Sequence, residues 1–209
     1  MSDARPARKT AKRTNDPEGM RRRILDVAAE SFQSRGYEAT SIHDLVREAQ
    51  TTGGALHHHF PTKKSLALGV IRERVGPAVE AAWIEPVRSA RVASQGILAA
   101  FKDIAAGLRE RGRVRGCPLN NLTLELSLAD PDFQQALQQI FGTWRGAIAE
   151  RLKQDKAAGR TRLDPEAFAT LVVASYSGAM AMAKVQQDAA PLEVCAKQLG
   201  AIMKSQRRS

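Results

Sequence analysis

The chain has 209 residues, long enough for one or two domains with a true hydrophobic core. With 43% hydrophobic and 26% charged residues it is not a wholly disordered chain; with aromatics at 5% and alanine abundant, it favours helices packed through small residues over a β-sandwich or barrel. Lys plus Arg number 32 against 22 Asp plus Glu, a formal net charge of +10 that suits a polyanionic partner.

Residues 1–15 hold Arg5, Arg8, Lys9, Lys12 and Arg13 against Asp3, a net of +4 with Pro6 and no apolar period. This reads as a disordered basic arm, drawn to a polyanion or merely solvated, and it lacks the apolar stretch of a secretory signal. Asp16-Pro17 then supplies a cap and a first-turn proline for a helix whose stripe is Ile24, Leu25, Ala28 and Phe32, ending at Gly36. Thr40 and Ser41 open a second helix, with Ser41 and Asp44 spaced as a capping box and Ile42, Leu45, Val46 and Ala49 inside. Gln50-Thr51-Thr52 forms a short turn into GGALHHHF, and Pro61-Thr62 stops that helix and caps KKSLALGVIRERVG. Later helices follow over 94–111, from Pro118, from Asp130-Pro131, from Asp164-Pro165 and from Pro191. The expectation is all-α, about nine helices and no sheet. No apolar run approaches ~18 residues, so no membrane span is expected. Two cysteines, Cys117 and Cys195, cannot build a disulfide framework, which suits a reducing, cytoplasmic setting.

Two short helices joined by a three- or four-residue turn are a helix-turn-helix signal. Ala49 and Leu56 fall where the two must meet. Gly53 and Gly54 are poor helix formers placed together; either the first turn is loose, or the backbone there approaches DNA so closely that a Cβ would clash. In this motif class the second helix points its N-terminus at base edges, so Thr52, Gly53, Gly54 and Ala55 are candidate readers, with His57 and His58 projecting from that helix and His43 from the one before. Thr40, Ser41, Lys63 and Lys64 are candidate phosphate contacts. The run His57-His58-His59 is not read as a metal site, because successive helical residues turn by about 100° and fan apart; His59 is expected to pack inward beside Phe60. No metal or other cofactor is expected. No P-loop, G-x-S-x-G, H-E-x-x-H, S-x-x-K or paired-cysteine box is present, so the chain is not read as an enzyme.

The stretch SIHDLVREAQTTGGALHHHFPTKKSLALGV resembles the DNA-binding segment of the TetR family of transcriptional regulators. Gly36, Thr40, Leu45, Ala49, Gly54, Leu56, His59, Phe60, Lys63 and Leu66 stand where that pattern places them, whereas Gln50, Thr51, Gly53 and His57 depart from it. The resemblance implies a helix-turn-helix unit over 16–66 and an effector-binding, dimerising part over 67–209. It implies a homodimer on a palindromic double-stranded operator, repression relieved by a small-molecule inducer, and DNA contacts at Thr52, Gly54, His57, His58 and Lys63.

GCPLNNLTLELS resembles a subset of the family in which this segment borders the ligand pocket, with Asn120 standing where a glycine is expected. There the resemblance implies that Cys117 is a sensor thiol for electrophiles or oxidants; Arg111, Arg113 and Arg115 just before it would lower its pKa, and the alternative reading of the residue is a small buried hydrophobe. Candidate pocket residues are Trp83, Phe101, Cys117, Asn121, Leu124, Phe133, Phe141, Trp144, Tyr176 and Met180, the alternative for each being ordinary core. Ala169, Val173, Tyr176 and Ser177, with Leu199 and Met203 of the last helix, form a candidate isologous four-helix interface, the alternative being packing within the chain.

Overall fold

The computed structural model describes residues 16–206, so the basic arm lies outside the described residues. Those residues form nine helices and no strand. Helix α1 is Pro17–Arg35; its cap Asp16 accepts the Gly19 N–H at 2.8 Å, and Gly36 leaves the helix at φ 91°. Helix α2 is Ile42–Glu48, where Ser41 accepts the Asp44 N–H at 3.0 Å and returns its hydroxyl to the Asp44 carboxylate at 2.7 Å. Helix α3 is Gly53–His59, capped by Thr52, which accepts the Ala55 N–H at 3.1 Å. Ile24, Leu25, Ala28 and Phe32 of α1 are buried with Leu45, Ala49, Leu56 and Phe60, the head's share of a core that continues into the later helices.

Helix α4 spans 63–89 and runs past Gly76, where the expected helix ended. It crosses Pro77 and Pro86 because a wide π turn precedes each, over Ile71–Val75 and Glu80–Ile84. In those turns the Gly76 and Glu85 N–H groups reach back five residues, to the Ile71 and Glu80 carbonyls. The widening makes room for the proline ring that a tight helix would drive into a carbonyl. The expected boundary after residue 66 therefore falls inside one continuous rod.

Helices α5 (Ala93–Arg111), α6 (Pro118–Leu126), α7 (Pro131–Ala157), α8 (Pro165–Gln186) and α9 (Ala190–Ser205) complete the chain. Asp130 and Asp164 cap α7 and α8 with a proline in each first turn. Val92 offers no side-chain cap to α5, and buried Asp155 of α7 replaces it, accepting the Ala93 N–H at 2.6 Å. Helix α8 is long and apolar enough to cross a bilayer by composition, with a mean hydropathy of 1.3. That corrects the expectation that no segment qualifies; here one face of α8 is buried against α7 and α9 instead.

Candidate functional site

Ser41, His43, Thr52, Gly53, Gly54, His57 and His58 are all exposed along α2 and α3, with Ala55 half-buried beside them. Helix α3 carries no acidic residue in its first turn and three histidines in its last. A Cβ built on Gly53 or Gly54 would meet nothing within 4 Å. Packing inside the chain therefore gives no reason for either glycine. Gln50 takes the left-handed conformation, φ 52°, in the turn between the helices, where a glycine would cost least.

Two candidate phosphate contacts are used elsewhere. Thr40 is 1% exposed, and its hydroxyl donates to the Gly36 carbonyl at 2.6 Å, closing the α1–α2 turn. Lys64 donates to Asp130 at 2.6 Å and pairs with Asp132 at 2.8 Å, contacts that raise its pKa and bind it to the start of α7. Lys63 lies 4.2 Å over the Tyr37 ring and 3.3 Å from the Glu38 carbonyl, with no acid paired to it. His59 is half-buried, its ring 5.3 Å from that of His58.

The C-terminal helices enclose a cavity of about 400 Å³ whose lining includes Trp83, Trp144, Tyr176, Met180, Cys117 and Leu119. The Trp83 ring is 5.0 Å from Trp144 and 4.9 Å from Tyr176, so three aromatic side chains meet in one wall. The Trp83 and Trp144 indole N–H groups are both buried without an acceptor among the described residues. Burial pushes the Cys117 thiol above its ordinary pKa, and burial followed by the neighbouring Cys117 pushes Tyr176 well up. The expected lowering of Cys117 by Arg111, Arg113 and Arg115 does not occur, because desolvation outweighs every other influence and no arginine contributes.

Of the other candidates, Phe101 backs the wall at 5.1 Å from Trp83, and Phe141 stacks behind Trp144 at 6.2 Å. Phe133 lies away from the cavity, edge-on to Tyr37 at 5.7 Å. Asn121 donates to the Arg115 carbonyl at 3.0 Å and so fixes the loop beside the cavity rather than lining it. Leu124 is 87% exposed on the outer face of α6 and cannot line a pocket.

The proposed interface set also turns inward. Ala169, Val173, Tyr176, Leu199 and Met203 are buried within the chain, and Ser177 donates to Asn120 at 3.2 Å. The outward apolar face of the same two helices instead carries Leu171, Met182 and Val185 with Val194 and Ile202.

Sequence reasoning missed the residues that join cavity to head. Glu125 of α6 accepts the Tyr37 N–H at 2.8 Å and the Glu38 N–H at 2.6 Å, in the turn that leads into α2. Gln33 of α1 lines the cavity and donates to the Gly116 carbonyl at 3.2 Å, and Arg115 pairs with Glu30 of α1. One short stretch, 115–125, thus forms cavity wall at one end and grips the helix-turn-helix at the other.

Residues 24–70 match the family model for bacterial regulatory proteins of the tetR family, and residues 93–198 match that for the C-terminal domain of LmrA/YxaF-like transcriptional regulators. The chain belongs to the TetR family. It is 30% identical to an uncharacterized HTH-type transcriptional regulator in the lacX 3' region of Lactococcus lactis subsp. lactis, over 82% of this chain and 86% of that one. It is 24% identical to the HTH-type transcriptional repressor DhaR of Mycobacterium sp. (strain GP1), over 83% and 87% of the two chains. A crystal structure of a TetR transcriptional regulator from Chloroflexus aurantiacus J-10-FL superposes with a TM-score of 0.83 at 25% identity, covering 93% of this chain and 99% of that one. This TetR-family protein is accordingly a DNA-binding transcriptional regulator and not an enzyme.

Proposed function

We propose that this TetR-family chain is a repressor that binds a palindromic operator as a homodimer and leaves it when a small molecule fills the α4–α8 cavity. The observation that carries the reading is the open space in front of Gly53 and Gly54. Two adjacent helical glycines lower helix stability, and no neighbour in the chain requires them. Their use is to let the α3 N-terminus approach a duplex. Thr52, His57 and His58 then reach base edges, and Ala55 meets a thymine methyl. Ser41, His43 and Lys63 set register on the phosphates. Thr40 and Lys64 support this head from behind rather than touching DNA.

The homodimer is supported by the apolar strip Leu171, Met182, Val185, Val194 and Ile202, which the chain itself leaves exposed. Two-fold pairing of α8 and α9 would cover it and present two α3 helices one or more helical turns apart. The cavity offers a mostly apolar interior with two unsatisfied indole donors, Trp83 and Trp144, a fit for a non-covalent ligand rather than for a thiol trap. Burial raises the Cys117 pKa and so disfavours the thiolate that electrophile sensing uses.

The test is binding to labelled promoter fragments flanking the gene, by gel shift, with excess random duplex. A retained complex that footprints as an inverted repeat supports the reading. Loss of all binding to random competitor would show an electrostatic, sequence-indifferent binder instead, because specific sites exceed random ones by about 10³–10⁷.

A further inference from the structure

Beside the apolar cavity lies a second recess lined by Glu30, Gln33, Arg111, Arg113, Arg115 and Gly116. The two share Gln33, Leu108, Arg111 and Gly116, so they adjoin, an aromatic-walled cavity on one side and a guanidinium-rich recess on the other. Three arginines fall within five residues at that mouth. Among the described residues, Arg115 pairs with Glu30, while Arg111 and Arg113 are exposed and make no ion pair. Like charges this close repel one another, and no described acid pairs with two of them. Asp103, on the same face of α5 as Arg111 and about 12 Å away by helical rise, lines the cavity far from the recess. It repels an anion from one end of the space while the arginines attract it to the other, so a charged ligand enters in one orientation.

We infer that the effector is an amphipathic anion: an apolar body seated against Trp83, Trp144 and Tyr176, and a carboxylate or comparable acid held by Arg111, Arg113 and Arg115. This rests on the reading of the cavity as the effector site and adds the ligand's chemical class and its route to the DNA-binding head. Two of the recess walls, Glu30 and Gln33, belong to α1. An acid reaching Arg115 competes with Glu30 for the guanidinium, and a group reaching Gln33 competes with the Gly116 carbonyl. Both are contacts that fasten α1 to the C-terminal helices. A neutral ligand of the same shape fills the apolar end without drawing Arg115 from Glu30.

The chain's two tryptophans both line the cavity, so their fluorescence reports occupancy directly. The probes are phenylalkanoates of graded chain length and their primary amides, titrated into the full-length protein at physiological salt. The expected result is that at one chain length the acid quenches with a Kd at least about tenfold below that of its amide, the range of a charge-assisted hydrogen bond. In the Arg111→Gln/Arg113→Gln double variant that preference vanishes while the amide binds as before. Both side chains are exposed, and an unchanged circular dichroism melt verifies the fold. Equal quenching by acid and amide in the wild type, or a preference that survives in the double variant, overturns the inference and leaves the cavity reading standing. Quenching by neither series at any length removes both.

Discussion

At the scale of single residues, Gly53 and Gly54 separate the demands of folding from those of recognition. With free space at both Cβ positions, replacing either by alanine is expected to stabilise the chain by a few tenths to about 1 kcal/mol, raising the thermal midpoint. The same substitutions are expected to weaken operator binding in fluorescence anisotropy, because the added methyl faces the duplex. A variant both more stable and tighter on DNA would contradict the assigned approach. Lys63 and Lys64 give a second contrast. Lys63→Ala is expected to reduce the salt dependence of DNA binding by about one phosphate contact, while Lys64→Ala leaves that slope unchanged, since its charge is taken up by Asp130 and Asp132. The sequence showed both lysines as equals next to a helix start; only the fold reveals that α7 begins where Lys64 can reach it. Asp155 was equally invisible, an acid buried on a long amphipathic helix whose carboxylate serves the N-terminus of α5, 62 positions away. Asp155→Ala leaves the Ala93 N–H without its acceptor and takes a buried carboxylate away from Arg151 and Arg160, at an expected cost of about 3 kcal/mol, read by urea denaturation.

Among the elements, the helix starts were legible because Asp-Pro and Ser/Thr caps are local chemistry, and α1, α2, α3, α7 and α8 open where that chemistry puts them. Two features were not. The passage of α4 through Pro77 and Pro86 depends on π turns that no short-range pattern announces. The outward face of α8 was misjudged by about half a turn because that helix is apolar nearly all round, so periodicity cannot say which side meets its own core. Helix α6 joins the cavity to the head. Its Glu125 holds two successive N–H groups of the turn leading into α2, and removing the carboxylate in Glu125→Ala is expected to speed hydrogen exchange at Tyr37 and Glu38 without lowering the cavity's affinity for ligand. Faster exchange throughout the chain would instead mean that Glu125 serves global stability. Ion pairs also join elements of the head: Arg35 with Glu48 and Arg21 with Glu73, whose hydrogen bonds hold both carboxylates below their usual pKa. A carboxylate with a lowered folded-state pKa contributes stability above its unfolded value of about 4.3, and that contribution is lost as pH falls through the folded value. Thermal midpoints of the wild type should therefore drop below about pH 4, and less so in Arg35→Gln/Arg21→Gln.

For the molecule as a whole, the proposed homodimer turns on a surface that the described chain leaves uncovered. Met182, Val185 and Val194 are each more than half exposed, while Ala169 and Val173 on the opposite side of α8 are buried. A charge introduced on either side of this helix would disturb a four-helix interface if pattern alone mattered, but the fold separates the outcomes. Met182→Glu with Val185→Glu places two carboxylates against their symmetry mates in a two-fold pairing, a like-charge, desolvated arrangement with no counter-ion. The expected result is a folded monomer by sedimentation, with a nearly normal circular dichroism melt and operator affinity reduced by orders of magnitude, since two half-sites are no longer engaged together. Ala169→Glu buries its charge within the chain and is expected to lower the melting temperature outright. If the outward double variant still sedimented as a dimer, the pairing would have to run through another surface. The exposed Leu124 and Leu128 near the end of α6 would then be the apolar positions to substitute next, and the spacing of the two reading heads would have to be derived from that contact instead.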